Sequence, residues 1–496
     1  MSASGATAGR MTLPIFLLTA ATVTSWRLLV LAASPLNLSF DEAQYWLWSL
    51  TPDWGYYSKP PFVAWSIALA QSVCGEGEAC IRMPSSVAYG VGSVFVFLAA
   101  RRQWGDQVAF WSGLAFLTLP GVAYSSMLVT TDPPLLMFWA VALYAVVRAQ
   151  DGEKAMGWWA LLGVAMGFGL LSKYAMILFA LSLALYLAFT KEARQKAGWR
   201  GPALAGLLAL LLYLPNFLWN AANGFASYLH TKDNANLSGP LFHPEKMAEF
   251  VGSQFAVFGP VLFAALLAFL FLIKTSAKDG RLRLLAFLSL PILLLMIVES
   301  LLSRANANWA APSYVAGSIL VTAWLAQKNR LGLVRLSVVL HMALATLVYN
   351  YEQALSLLGL PLDAKTDIAK RLKGWPQAGA NVQELLEGHP GAVLMSDDRK
   401  LMASLSYYAR PQSLSAVKWN PDGRVRDTFD LNASFKGANF QGNGESLLVF
   451  VTERETIPEV ARSFDRAEAL GPIRQTIHPG YSIDMHAFLL QGYKGR

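Results

Sequence analysis

Asp41 and Glu42 stand side by side in Phe40-Asp41-Glu42-Ala43-Gln44-Tyr45-Trp46-Leu47-Trp48-Ser49, and Lys59 follows in Trp54-Gly55-Tyr56-Tyr57-Ser58-Lys59-Pro60-Pro61. A carboxylate in this setting can serve as a general base, as a metal ligand or as a helix N-cap, a position that favours Asp. The company of Glu42, Tyr45, Tyr56, Tyr57 and Lys59 strengthens the chemical reading of Asp41. Pro60-Pro61 restricts Lys59 to extended backbone and can start a helix, which would hold the ammonium near a membrane surface. Such a lysine can also simply anchor to lipid phosphate. Asp132 precedes Pro133-Pro134, a pattern that also marks a helix start. Arg82-Met83-Pro84-Ser85, Leu171-Ser172-Lys173-Tyr174 and Ser303-Arg304-Ala305 each set one cation at an expected helix end, as ligands of an anion or as topological anchors.

These residues need a frame, and composition identifies it. The chain is 54% hydrophobic and 15% charged, against roughly 25% charged residues in a soluble domain. It reads as an α-helical polytopic membrane protein. Leu13–Ala33 is long enough to span a bilayer, which takes roughly 20 residues, and carries Arg27 as either a functional or a paired charge. Phe62–Val73 is too short to span and reads as re-entrant or interfacial. Further spans are expected near Ser86–Ala100, Val108–Ala123, Pro134–Val147, Gly157–Leu171, Ala175–Phe189, Leu204–Leu218, Phe250–Ile273, Leu284–Leu302, Ala310–Leu325 and Val334–Tyr349, which makes about 11.

The net charge of +8 follows this topology, which argues against a nucleic-acid patch. Alternate turns carry Arg101, Arg102, Arg148, Lys154, Lys191, Arg194, Lys196, Arg200, Lys274, Lys278, Arg281, Arg283, Lys328 and Arg330, and are cytoplasmic by the positive-inside rule. The N-terminus is then cytoplasmic. The outer side receives the Asp41 loop, the Trp219–Glu249 loop with Asn220, His230, Lys232 and Asp233, and the tail. Few cations fall there, so an anionic ligand would explain Lys59, Arg82, Lys173 and Arg304. Cys74 and Cys80 close a Gly-rich outer loop whose spacing permits a disulfide in an oxidising compartment. Two parts result, a membrane domain over 1–350 and a soluble α/β domain over 351–496. In the latter, Val393–Ser396 and Leu447–Thr452 read as strands, Asp398–Tyr408 and Ile457–Phe464 as helices.

Asp41-Glu42-Ala43 after the first span, Lys59-Pro60-Pro61, Arg82-Met83-Pro84-Ser85, Thr131-Asp132-Pro133-Pro134-Leu135 and Asn308-Trp309 occur in an order that carries a resemblance. Over about Leu13 to Asn350 the chain resembles the bacterial polyprenyl-phosphate-sugar glycosyltransferases of the GT-C fold, the protein mannosyltransferase-like and aminoarabinose (lipid A) transferase-like enzymes. The resemblance implies a multispanning inner-membrane enzyme with periplasmic interfacial helices and a periplasmic active site. Its donor would be a sugar on a polyprenyl (undecaprenyl) phosphate. Asp41 would be the catalytic carboxylate and Lys59 a contact to the donor phosphate.

Elementary chemistry agrees with that expectation. A base must deprotonate the incoming nucleophile, and Asp41 can do so with Glu42 and Asp132 orienting base or acceptor. Phosphate is already a good leaving group and needs cations for its developing charge, which Lys59, Arg82, Lys173 and Arg304 could supply. Attack opposite the phosphate inverts the anomeric centre. Tyr45 and Tyr57 would stack on sugars or form an interfacial aromatic belt, and Asn220 and His230 would help shape the acceptor site. The acceptor would be lipid A or lipopolysaccharide, another glycan or a protein. Asp41, Glu42, Asp132 and His230 or His243 offer metal-ligand chemistry without close His spacing, so no metal or other cofactor is expected to be required. The rival classes are a transporter or flippase for lipid-linked sugars and a non-catalytic partner that presents them.

Overall fold

A computed structural model describes residues 4–152, 155–235, 241–435 and 447–495. Lys154 and residues 236–240 of the expected outer loop lie outside the described residues. The chain divides into two compact units, residues 1–33 with 59–350, and residues 34–58 with 351–496. The Asp41 loop therefore belongs to the same unit as the tail.

The first unit is helical. Among the described residues, eight helices are long and apolar enough to cross a membrane, or nine if the bent pair Tyr174–Phe189 and Lys191–Ala197 counts as one span. The eight correspond one to one with expected spans. Of the other three expected spans, two are interrupted within their length, and Ala175–Phe189 lies inside the first helix of a bent pair. Leu119-Pro120 separates Asp106–Thr118 from Pro120–Ser125, because Leu119 leaves helical backbone and Pro lacks the N–H that would continue the ladder. Phe258-Gly259 separates Pro244–Val257 from Pro260–Phe271, with Gly259 at φ 86°. The third is the pair bent by 112°. Phe62–Cys74 is a short apolar helix, as its length implied.

Packing between these helices uses small residues where backbones approach. A Cβ added at Gly163 would meet the Ala205 backbone and Leu208, and helix Ala155–Ser172 thus lies close along Arg200–Ala222. Phe16, Phe97, Phe116, Trp139 and Phe179 fill the core. At one end of the unit the cationic turns tie to one another. Arg101 pairs with Asp106, Arg102 and Arg148 with Asp151, and Arg281 with Asp279 while donating to the Gln103 carbonyl.

The second unit is an α/β layer. Its sheet has the order β2-β1-β3-β5-β4, with β1 Val393–Ser396, β2 Val417–Lys418, β3 Leu448–Thr452, β4 Phe464–His478 and β5 Tyr481–Tyr493. β1 runs parallel to β2 and β3, and β5 is antiparallel to β3 and β4. β3 is buried along its whole length, as a central strand requires. The expected helix over Ile457–Phe464 shrinks to Pro458–Ala461, because Phe464 already opens β4. Helix Phe40–Ser49 packs in this unit, where Phe40 and Leu47 join the core of Leu401, Leu405 and Val449. Trp48 Nε1 donates to Thr428 Oγ1 at 3.0 Å, and the Leu38 N–H to the Tyr408 hydroxyl at 2.6 Å. A buried node ties the start of the tail to the β4–β5 turn. Asp367 accepts from Tyr351, Lys373 and His478, each at 2.7 Å. Burial alone would raise the Asp367 pKa, but these bonds, with the Ala369 N–H, outweigh it and hold the group at about 2.

Candidate active site

Candidate site residues gather at a polar centre in each unit. In the second, Ser39 and Glu42 form a capping box that starts helix Phe40–Ser49: the Ser39 N–H donates to Glu42 Oε2 at 2.9 Å and the Glu42 N–H to Ser39 Oγ at 3.3 Å. Glu42 is 1% exposed, and its Oε2 closes that box. Asp41, one residue earlier, has a side chain 49% exposed. Its Oδ1 accepts from Arg399 Nη1 at 3.1 Å, and the same nitrogen donates to Gln44 Oε1 at 3.0 Å. Asp41 Oδ2 makes no hydrogen bond among the described residues.

Aromatic stacking makes this helix rigid. Trp48 stacks on Tyr56 with ring centroids 4.6 Å apart, and Tyr45 lies 5.3 Å from Trp48. The Tyr56 hydroxyl donates to the Trp48 carbonyl, and burial pushes its pKa to about 12, so it remains a donor at any physiological pH. Tyr45 is buried in this stack, and the expected sugar-facing ring is therefore packed inward. Tyr57 is half-buried.

In the first unit, Asp132 joins three helix ends. Its Oδ1 accepts from Lys173 Nζ and its Oδ2 from Asn308 Nδ2, both at 2.6 Å. Asp132 opens helix Asp132–Ala149 with two prolines behind it, a start for which proline is suited. Lys173 sits in extended backbone between Ala155–Ser172 and the short turn Tyr174–Met176. Asn308 lies in the turn Ala307–Ala310, which Gln254 holds by donating to the Ala307 carbonyl at 3.2 Å while Tyr314 donates to Gln254 Oε1 at 2.6 Å. Tyr89 donates to Ser125 Oγ at 3.0 Å and fixes the turn before Asp132. Asp132, Asn308, Tyr89, Ser125, Thr130 and Tyr314 line the polar part of a cavity of about 360 Å³. An apolar groove of about 320 Å³ shares Gly121, Tyr124, Val257 and Ala307 with it.

The other expected site residues are placed as follows. Lys59 is half-buried before helix Phe62–Cys74, Arg82 is buried in Glu78–Trp104, and Arg304 is exposed beside the Asn308 turn. Asn220 is buried and donates to the Tyr174 hydroxyl at 3.3 Å and the Asn216 carbonyl at 3.1 Å, so it braces its own helix. His230 is half-buried on helix Ala226–Ala235. Cys74 and Cys80 form a disulfide. Arg27 is buried and donates to the Leu117 carbonyl at 2.7 Å, where the break at Leu119 leaves carbonyls without helical partners. Among the described residues, no group of three His, Cys, Asp or Glu side chains could hold a metal ion. Sequence reasoning missed Arg399, Tyr89 and Gln254. For Gln254 there was a signal, a lone amide in an apolar run, which in a membrane needs a partner.

Three comparisons relate this chain to known proteins. Residues 58–219 match the family described as dolichyl-phosphate-mannose-protein mannosyltransferase. Over 451 residues, 90% of this chain and 93% of its counterpart, the sequence is 31% identical to the lipid A galacturonosyltransferase RgtD of Rhizobium johnstonii. The chain belongs to the GT-C polyprenyl-phosphate-sugar glycosyltransferases. As a member of this family it is a membrane glycosyltransferase that uses a polyprenyl-phosphate-linked sugar. Within the same family, the undecaprenyl phosphate-alpha-4-amino-4-deoxy-L-arabinose arabinosyl transferase of Pseudomonas aeruginosa (strain UCBPP-PA14) is 29% identical over 294 residues, 56% of this chain and 51% of that one. The fold is also that of ArnT from Cupriavidus metallidurans in its crystal structure with undecaprenyl phosphate, with a TM-score of 0.64, 17% identity and 98% of each chain covered.

Proposed function

We propose that the enzyme moves a hexuronic acid from undecaprenyl phosphate to lipid A or lipopolysaccharide at the periplasmic face of the inner membrane, with Asp41 as base. The carrying observation is the contrast between neighbouring carboxylates: Glu42 is buried in a capping box, while Asp41 is half exposed with Oδ2 open. The near full-length similarity to a lipid A galacturonosyltransferase supports the acceptor and the acidic sugar. The cation-rich turns at one end of the first unit support a cytoplasmic assignment for that end.

In this reading an acceptor hydroxyl gives its proton to Asp41 as its oxygen bonds to the anomeric carbon. The bond from that carbon to the phosphate oxygen breaks on the opposite face, and the phosphate leaves with the electron pair. The anomeric centre is inverted. Lys59, Arg304 and Lys173 serve the donor phosphate, Lys173 being held by Asp132. Arg82, expected as a fourth phosphate ligand, is 2% exposed in helix Glu78–Trp104.

The test is mass spectrometry of lipid A from a deletion strain carrying either the native chain or Asp41→Asn, with transfer by the purified proteins measured in detergent. Only the native chain is expected to restore the sugar, and Asp41→Asn should lower kcat by about 10³-fold with donor binding retained. Near-normal turnover of Asp41→Asn refutes the base role.

A further inference from the structure

Arg399 opens helix Arg399–Tyr408 directly after its capping residue Asp398. Its Nη1 faces both Asp41 and Gln44, which lie one turn apart on the helix Phe40–Ser49. The guanidinium carbon lies 4.9 Å from the Phe40 ring centroid. Two sides of the group are thus fixed. Nε and Nη2 make no hydrogen bond among the described residues, and the side chain is 31% exposed. That Nε–Nη2 edge is the fork that takes a carboxylate or phosphate in paired bonds.

Among the described residues, no carboxylate pairs with the Nε–Nη2 edge. Lys400 also approaches the Phe40 ring, so two cations lie against that ring. The other carboxylates nearby are engaged. Asp397 pairs with Arg454, Asp398 accepts from the Lys400 and Leu401 N–H groups, and Glu42 is in its capping box. An ion pair as exposed as Asp41 with Arg399 contributes little to stability, so its retention as a structural brace is not required.

The geometry points to Arg399 as the residue that binds an oxyanion of the substrate held at Asp41. The sugar's C6 carboxylate is one source of that chemistry, and a phosphate of donor or acceptor is the other. This rests on the reading of Asp41 as base. Arg399 would be a specificity-determining residue, and its Nη1 would keep Asp41 oriented while the Nε–Nη2 edge engages the anion.

The test uses full-length protein in detergent with Arg399→Ala, Arg399→Lys and Gln44→Ala. Donors are a polyprenyl phosphate bearing a hexuronic acid and one bearing the corresponding neutral hexose, and the acceptor is lipid A with or without its phosphates. Arg399→Ala should raise KM for the uronate donor about tenfold and leave KM for the hexose donor within about twofold. Arg399→Lys should recover part of the loss, and Gln44→Ala should keep the preference for uronate. A rise in KM for both donors places the oxyanion on the donor phosphate. A loss that disappears with dephosphorylated lipid A places it on the acceptor. A fall in kcat alone, equal for both donors, or no change in any parameter, overturns the proposal. Turnover by Asp41→Asn would defeat the base reading separately, because the donor dependence of KM at Arg399 is read from a different variant.

Discussion

Asp132 offers Oδ1 to Lys173 and Oδ2 to Asn308, so each of its oxygens is anchored to a neighbouring side chain. It acts as a bracket that holds an ammonium at the end of one helix and an amide in the turn before another. Asp132→Asn keeps the shape but turns one acceptor into a donor, which must then face either the Lys173 ammonium or the Asn308 amide. The expected outcome is a KM for the polyprenyl-phosphate donor raised about 10- to 100-fold, following the loss of about 1.4 to 3 kcal/mol for a charge-assisted bond, with a smaller effect on kcat. Steady-state kinetics at varied donor concentration would show it, and an unchanged donor KM would remove Lys173 from the donor site. Asp41, Asp132 and Lys173 were legible as groups at expected helix ends, Asp41 among aromatics, Asp132 before two prolines and Lys173 as a cation on the side where few fall. The separate fates of Asp41 and Glu42 were half legible. Ser39 three residues before Glu42 is a capping-box pattern, yet two adjacent acids read as a catalytic pair until the burial of one is known. Arg399 was not legible, since nothing local in Asp398-Arg399-Lys400 shows a partner more than 350 residues earlier.

Helix breaks do the positioning at the next scale. Gly259, at φ 86°, lies where an added Cβ would run into the His341 imidazole, whose nitrogens already meet Ser337 Oγ at 3.0 Å and Thr118 Oγ1 at 3.4 Å. Gly259→Ala therefore combines a left-handed backbone that a side chain resists with a displaced polar contact. It should destabilise the first unit by about 2–4 kcal/mol, read as a lower thermal midpoint in detergent. An unchanged midpoint would show that the break is soft. The apolar run Phe250–Ile273 read as one span because hydropathy averages over Gly259-Pro260, and membrane helices tolerate both residues. Tail strands β1 and β3 were legible from short apolar runs bounded by turns. β4 was hidden, because Asp465, Arg466 and Glu468 on an exposed edge strand give no alternating pattern.

At the scale of the whole molecule, charge and hydropathy dictated a membrane protein, and the chain is one in which helices carry the frame. What composition could not convey is the division of the chain. A loop after the first span is expected to belong with the spans, yet the short segment 34–58 shares a core with residues 351–496, through contacts such as Trp48 with Thr428 and Leu38 with Tyr408. This arrangement gives the protein a timetable. A ribosome delivers Asp41 before residues 59–350, and the partners of its helix only after them. Until then Trp46, Trp48 and Tyr56 lack the tail core, and the proposed base has no fixed place. A chain ending at residue 350 should accordingly be inserted yet inactive and be cut by protease within residues 34–58, whereas the full chain should resist cleavage there. Protection of that segment in the shortened chain would mean it folds unaided; its absence would make synthesis of residues 351–496 the event that switches the enzyme on.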